Sequence, residues 1–152
     1  MDVNLINPFI LAFNHVMKQV GFSEIKSGAM SAKSKDITSS GVILMVGFVG
    51  QLQGNIVYVI DAESAKKIAS TMMMGMPVNE LDSMACSSLS ELSNMLSAHA
   101  ATHLSAMGYV VDISPPGLFQ GENITMTMSS NKVLCILFYA DGIPIELNIT
   151  IS

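Results

Sequence analysis

Between Asn4 and Val20 the apolar positions Leu5, Phe9, Phe13, Val16 and Val20 recur every three or four residues, a spacing that predicts an amphipathic helix. Pro8 falls in its first turn, where a missing N–H costs little, and Gly21 marks its end. The pattern then shifts to strands near Lys26–Lys35, Val42–Val49 and Asn55–Ile60, the last two joined at Gly50-Gln51-Leu52-Gln53-Gly54. Asp61 is placed to cap a second helix over Glu63–Met74, with Gly75 and Pro77 beyond it. A long helix is predicted from Glu80 to Met107. Strands near Tyr109–Ser114, Asn123–Met128, Val133–Tyr139 and Ile143–Ile151 complete the chain. In the last strand Ile143, Ile145, Leu147, Ile149 and Ile151 share one face, and Pro144, Glu146, Asn148, Thr150 and Ser152 the other. Asp141-Gly142 predicts the hairpin turn that precedes it.

This order lacks a regular strand–helix–strand alternation. It points to an α+β chain: an α/β sandwich with a largely antiparallel sheet, two long helices and a shorter one. The two halves also echo each other. Asn7 to Gly21 and Asn94 to Gly108 have the same length, and each glycine precedes an aromatic residue, Phe22 or Tyr109, and a strand. An internal duplication is the reading that follows. The 152 residues suit one domain, residues 1–152.

Composition narrows the function. Half of the residues are apolar, only 12% are charged, and the formal charge is −5. Such a chain buries much of itself, including a subunit interface, and is not disordered. All seven basic residues are lysines, scattered along the sequence, so no guanidinium clamp for phosphate or guanine is available and nucleic acid is an unsuitable partner. The start, Met1-Asp2-Val3-Asn4, lacks the basic region of a secretion signal. Cys86 and Cys135 lie in apolar patterns and read as buried, reduced thiols of a cytoplasmic protein. Residues 37–60 carry no charge, but their glycines, Gln51, Gln53 and Asn55 fit two buried strands better than a membrane span. Met72-Met73-Met74-Gly75-Met76 reads as core filler, because consecutive helical residues cannot converge on one ion.

The long helix carries the candidate chemistry. On a wheel of 100° per residue, Leu81, Ala85, Leu89, Leu92, Leu96 and Met107 take one broad side, with His99 and His103 among them. The other side holds Ser87, Ser90, Glu91, Asn94, Ala98, Ala101 and Ser105. Glu91 and Asn94 project about one turn apart from the same face. A solvated face normally carries several Lys, Glu or Arg; this one has a single carboxylate and a single carboxamide among small residues. It permits another protein surface to come close, with Glu91 and Asn94 as inserted probes.

Three segments, taken in order, carry a resemblance: Ile6-Asn7-Pro8-Phe9-Ile10, then Ser90-Glu91-Leu92-Ser93-Asn94-Met95-Leu96, then Ile113-Ser114-Pro115-Pro116-Gly117-Leu118-Phe119-Gln120-Gly121. With the glycine-rich strand pair and the helix ending at Met74-Gly75, the whole chain resembles the CheC/CheX family of chemotaxis phosphatases, and within it the CheX branch. The resemblance implies a CheC/CheX-like α/β sandwich and hydrolysis of the aspartyl phosphate of a CheY-type response regulator. It implies that Asn94 orients the attacking water and that Glu91 engages the active-site lysine of the regulator. On the bare helix face read from the wheel, Ser87, Ser90, Ala98 and Ala101 would line the contact. Mg²⁺ would belong to the receiver domain, so that the chain has no cofactor of its own, and the protein would be a homodimer, with the alternating terminal strand suited to an edge-paired sheet. The first-half counterparts of Glu91 and Asn94 would be Asn4 and Asn7, which leaves one site per chain. Where the family often has Gly-Asn, this chain has Ala98-His99.

Three rival readings are weaker, and a fourth stands as the serious alternative. His99 and His103 have the i, i+4 spacing of paired metal ligands, but Ala100-Ala101-Thr102 between them supplies no Glu and no third ligand is near in sequence. Cys86 on the helix flank lacks the surroundings of a hydrolase nucleophile. The high hydropathy invites a lipid surface, but the net negative charge and dispersed lysines oppose it. The last rival is a docking module that binds a receiver domain or other signalling protein through the same helix face without catalysis.

Overall fold

A computed structural model describes residues 3–152. Met1 and Asp2, on which the reading of the N-terminal stretch partly rests, lie outside the described residues. The chain opens with a single 3₁₀ turn at Val3–Leu5 and helix α1 over Asn7–Val20. The predicted helix began at Asn4. Pro8 explains the difference: it has no N–H to donate to the carbonyl of Asn4, so the regular ladder starts beyond it. Strands β1 (Ile25–Lys33), β2 (Asp36–Gly50) and β3 (Gly54–Asp61) follow, then α2 (Ala62–Met72) and α3 (Ser83–Ala106). The second half ends in β4 (Val111–Ile113), β5 (Gly117–Thr127), β6 (Val133–Ala140) and β7 (Ile143–Ile151). The side chain of Asp61 accepts from Ser64 N at 2.9 Å, and that of Asp82 from Ala85 N at 2.9 Å, so both later helices start at acidic caps.

The strands form one antiparallel sheet in the order β1-β6-β7-β3-β2-β4, with β5 also pairing along β2. Three strand relations reveal its symmetry. Exchanging β1, β2 and β3 for β5, β6 and β7 turns the β1–β6 pair into β5–β2 and the β2–β3 pair into β6–β7, and leaves β3–β7 in place. The helices repeat the relation. Gly21 and Gly108 end α1 and α3 at positive φ, 126° and 97°. In each case the next aromatic N–H closes the same bond, Phe22 to the Met17 carbonyl at 3.0 Å and Tyr109 to the Leu104 carbonyl at 2.9 Å. The chain is built as two related halves, with α2 inserted between them.

All three helices lie on one face of the sheet. Val42, Leu44, Val46 and Phe48 of β2, Ile56, Tyr58 and Ile60 of β3, and the odd-numbered face of β7 meet Phe9, Phe13, Ile68, Leu89 and Leu104 in the main core. Phe13 stacks on Phe138 at 4.1 Å between ring centres, and Phe9 meets Phe48 edge-on at 5.6 Å; these contacts fix α1 over both halves of the sheet. A smaller cluster of Ile37, Ile43, Val57, Met128 and Val133 packs against the opposite face.

Three expectations change. β7 lies between β6 and β3 rather than at an edge, and Asn148 and Thr150 on its polar face are buried. The strand is flanked by β6 along residues 143–149 and by β3 along residues 146–151, so it offers no free edge for pairing between two copies. β2 and β5 are longer than predicted because residues outside the predicted strands find partners across the β2–β5 ladder: residues 36–41 lie against residues 121–127, and residues 117–120 against residues 42–45. The methionine run is not core filler: Met72 packs against the core, but Met74 is 98% and Met76 53% exposed. The helix ends at Met72, and Met74, at φ 59°, turns outward.

Gly54 is demanded by close approach: a Cβ there would lie 1.8 Å from the Thr150 carbonyl oxygen. Gly54→Ala is expected to destabilise the fold by about 3 kcal/mol, read as a lowered midpoint in urea unfolding.

Candidate functional site

α3 is the platform. Its inner side buries Ala85, Leu89, Leu92, Ser93, Leu96, Ser97, Ala100 and Leu104. The Ser93 and Ser97 hydroxyls are buried without a hydrogen-bond partner, so their value there is small volume rather than polarity. Both ends of the helix are tied to the sheet. At the start, Gln120 on β5 donates to the Leu81 carbonyl at 3.3 Å. Past its end, Gln51 in the β2–β3 turn accepts from Val110 N at 2.6 Å through its side chain, and its own N–H donates to the Val110 carbonyl at 3.1 Å.

On the outer side Glu91 is exposed and Asn94 partly buried. Neither makes a hydrogen bond or ion pair among the described residues, so the carboxylate and the amide are both available to a visitor. Ser87 and Ala98 are exposed and Ser90 is half-buried beside them. Ala101 lies at the margin of the ridge, where it packs against the main core. Met107, expected on the inner side, caps the helix and is 45% exposed, because α3 has already ended at Ala106. The inner role of Ser93, Ser97 and Ala100 was missed. Small residues on both sides of α3 blur the contrast that a wheel depends on.

The histidines are also arranged differently from expectation. His15 of α1 stacks on His99 at 4.5 Å between ring centres, and His99 lies 4.8 Å from His103. A third imidazole is therefore present, although it is remote in sequence. The His15 and His99 rings are within 25° of parallel, so they lie face to face instead of converging on one point. Among the described residues no group of three or more His, Cys, Asp or Glu is arranged to hold a metal ion. Cys86 and Cys135 are free. Burial, with the nearby carboxylates of Asp82 and Glu146 respectively, pushes both thiols above their usual range, which disfavours the nucleophilic thiolate. No helix among the described residues is long and apolar enough to cross a membrane.

This architecture has known relatives. The family model described as chemotaxis phosphatase CheX matches residues 42–139. The chain belongs to the CheX family of chemotaxis phosphatases. That membership makes the CheX-family chain a phosphatase, and so a hydrolase. It is 32% identical over 124 residues to the CheY-P phosphatase CheX of Thermotoga maritima, a match covering 82% of this chain and 80% of that one. It superposes on a chain of the CheX–CheY–BeF3–Mg complex from Borrelia burgdorferi with a TM-score of 0.84, at 30% identity and 99% coverage of both chains. A CheC-like superfamily protein from Shewanella sp. PV-4 gives a TM-score of 0.88 at 25% identity, covering 100% of this chain and 99% of that one. These likenesses extend over both halves of the CheX-family chain, so the sheet and the helix platform are family features.

The stacked histidines make stability sensitive to pH. Burial, then the charges of His15 and His103, hold His99 below its ordinary 6.5. The unfolded chain therefore takes up the His99 proton at a higher pH than the folded chain does. Stability is full above 6.5 and falls as pH drops from there through the lowered native value. Thermal unfolding between pH 7.5 and 5.0 should show the wild-type midpoint falling more steeply than that of His99→Asn.

Proposed function

We propose that this chain hydrolyses the aspartyl phosphate of a CheY-type receiver domain, with Asn94 orienting the attacking water and Glu91 engaging the receiver's active-site lysine. One observation carries the reading: an unpaired carboxylate and carboxamide, about one turn apart, are the only charged and amide groups on the outer ridge of a helix held at both ends. The relatives add support. One is a CheY-P phosphatase at 32% identity, and another was crystallised in a CheX–CheY complex.

The chemistry needs little from the enzyme. An acyl phosphate is activated and its carboxylate is a good leaving group. Water attacks phosphorus, the bond from phosphorus to the carboxylate oxygen breaks, and inorganic phosphate and the free aspartate result. Catalysis consists of placing water in line and tolerating the charge that develops. A neutral amide serves this purpose: its carbonyl accepts from the water and its NH₂ donates to a phosphoryl oxygen. Glu91 supplies the fixed anion that a lysine can meet, which sets register between the two proteins. Ser87, Ser90 and Ala98 keep the ridge low enough for a pocket to close over it, with Ala101 at its margin. Mg²⁺ is held by the receiver in this reading, and the chain brings no metal of its own.

The test is the decay of phosphorylated receiver with catalytic amounts of the chain. Asn94→Ala is expected to lower turnover about 10²-fold or more while binding to the receiver survives. Glu91→Ala should mainly weaken the encounter, raising the half-saturating receiver concentration on the order of tenfold. Decay equally fast with and without wild-type chain would reject catalysis and leave the helix face as a docking surface alone.

A further inference from the structure

The α3 ridge does not stop at the residues already assigned. Met84 lies seven positions before Glu91, close to two full turns, so it projects from the same face about 10 Å along the helix axis. It is 60% exposed. Met84 forms one wall of a cavity of about 360 Å³ whose lining includes Met73, Met76, Val78, Glu80 and Asp82. Met76 is 53% and Met74 98% exposed beside it.

The loop that presents these residues is fastened. Gly75 N donates to the Ser70 carbonyl at 2.8 Å, and the Ser70 hydroxyl donates to the Met76 carbonyl at 2.8 Å. The backbone is fixed, then, while the thioether side chains stay adaptable. A contiguous exposed patch of methionine next to a reactive ridge marks an interaction surface, and methionine is enriched in the centres of interfaces.

Size supplies the occupant. A stable protein interface buries about 800 Å² per partner, a disc about 16 Å in radius. A receiver whose pocket sits over Glu91 and Asn94 therefore reaches Met84, about 10 Å away. It does not reach Met107, sixteen positions beyond Glu91 and about 24 Å along the axis. The geometry points to Met84 and Met76 as an apolar anchor for the same receiver domain, selecting one with an apolar side chain flanked by Lys or Arg beside its phosphorylation pocket. The cation is called for by the Glu80 and Asp82 carboxylates on the cavity rim. This inference rests on the reading of Glu91 and Asn94 given above. The anchor contributes to binding alone, because it lies too far from the phosphorus to touch the reacting atoms.

The experiment is steady-state dephosphorylation of the phosphorylated receiver by Met84→Gln, by the double variant Met76→Gln/Met84→Gln, and by Met107→Gln as control. All three sites are exposed, and an unchanged melting midpoint establishes that each variant is folded. The double variant should raise KM at least fivefold with kcat within twofold of wild type, Met84→Gln should do so in part, and Met107→Gln should leave both unchanged. The same ordering is expected for direct binding of each variant to receiver activated with beryllium fluoride and Mg²⁺. A double variant within twofold of wild type in KM overturns the anchor, as does a loss confined to kcat or an equal effect from Met107→Gln. An inactive wild-type chain would reject the phosphatase reading itself, a different result from any of these.

Discussion

The packing of the inner side of α3 is the constraint on which the site depends. Ala85, Leu89, Ser93, Leu96, Ser97, Ala100 and Leu104 are all buried, and the helix touches α1, α2 and the sheet. A helix so fully engaged on one side has no rotational freedom, and its opposite ridge acquires a fixed direction. The cost is visible at Ser93 and Ser97, whose hydroxyls find no partner. A buried hydroxyl without a hydrogen bond destabilises, so its retention at two successive turns reflects the tightness of the contact. Larger side chains would lift α3 and turn Glu91 and Asn94 away from the direction in which they now project.

Duplication explains both the stability of this platform and its one-sidedness. The sheet maps onto itself when the halves are exchanged, and α1 and α3 end in the same glycine cap. The outer surfaces did not stay alike. Where α3 carries Glu91, Asn94 and Ala98, the matching positions counted back from the cap glycine are Asn4, Asn7 and Leu11. Leu11 is 51% exposed and bulkier than Ala98, and Asn4 carries no charge for a cation to meet. A symmetric scaffold thus supports an asymmetric surface. The common core is what fixes both helices, and the ridges above it are free to diverge.

Much of the fold was legible because its signals are local. The Asp61 cap, the Gly21 and Gly108 stops, the Asp141-Gly142 turn and the alternation of β7 each depend on a few adjacent residues. What was missed depends on partners distant in sequence. β2 reads as starting at Val42 until β5 is laid beside residues 36–41. The polar face of β7 reads as solvent-facing until Lys33 and Asn148 are seen to hold Glu146, at 2.6 and 2.9 Å. His15 is unremarkable until α1 brings it onto His99. The methionine run misled for a different reason: high apolar content predicts burial on average, but it does not say on which side of a helix end the chain turns outward. The candidate site was legible in the opposite way. Glu91 and Asn94 stood out because so little surrounds them, and emptiness on a helix face is a local property that periodicity reports directly.

That emptiness has an electrostatic consequence. A carboxylate among several lysines is partly neutralised by its neighbours, and any incoming cation must displace them. Glu91 has no ion pair among the described residues; the salt bridges there join Lys26 to Glu24, Lys33 to Glu146 and Lys66 to Glu63, all on other elements. Its charge is therefore undivided, and closure of a partner over the ridge strips water from it at little entropic cost to the flanking alanine and serines, which have few rotamers to lose. Desolvation strengthens the attraction between Glu91 and a lysine at the moment when Asn94 comes into reach of the phosphoryl group. In the proposed reaction, recognition and positioning are thus coupled by geometry: one helical turn separates the group that senses the partner from the group that places the water. A second strong charge on the ridge would weaken this coupling, because it would offer the partner's lysine an alternative register.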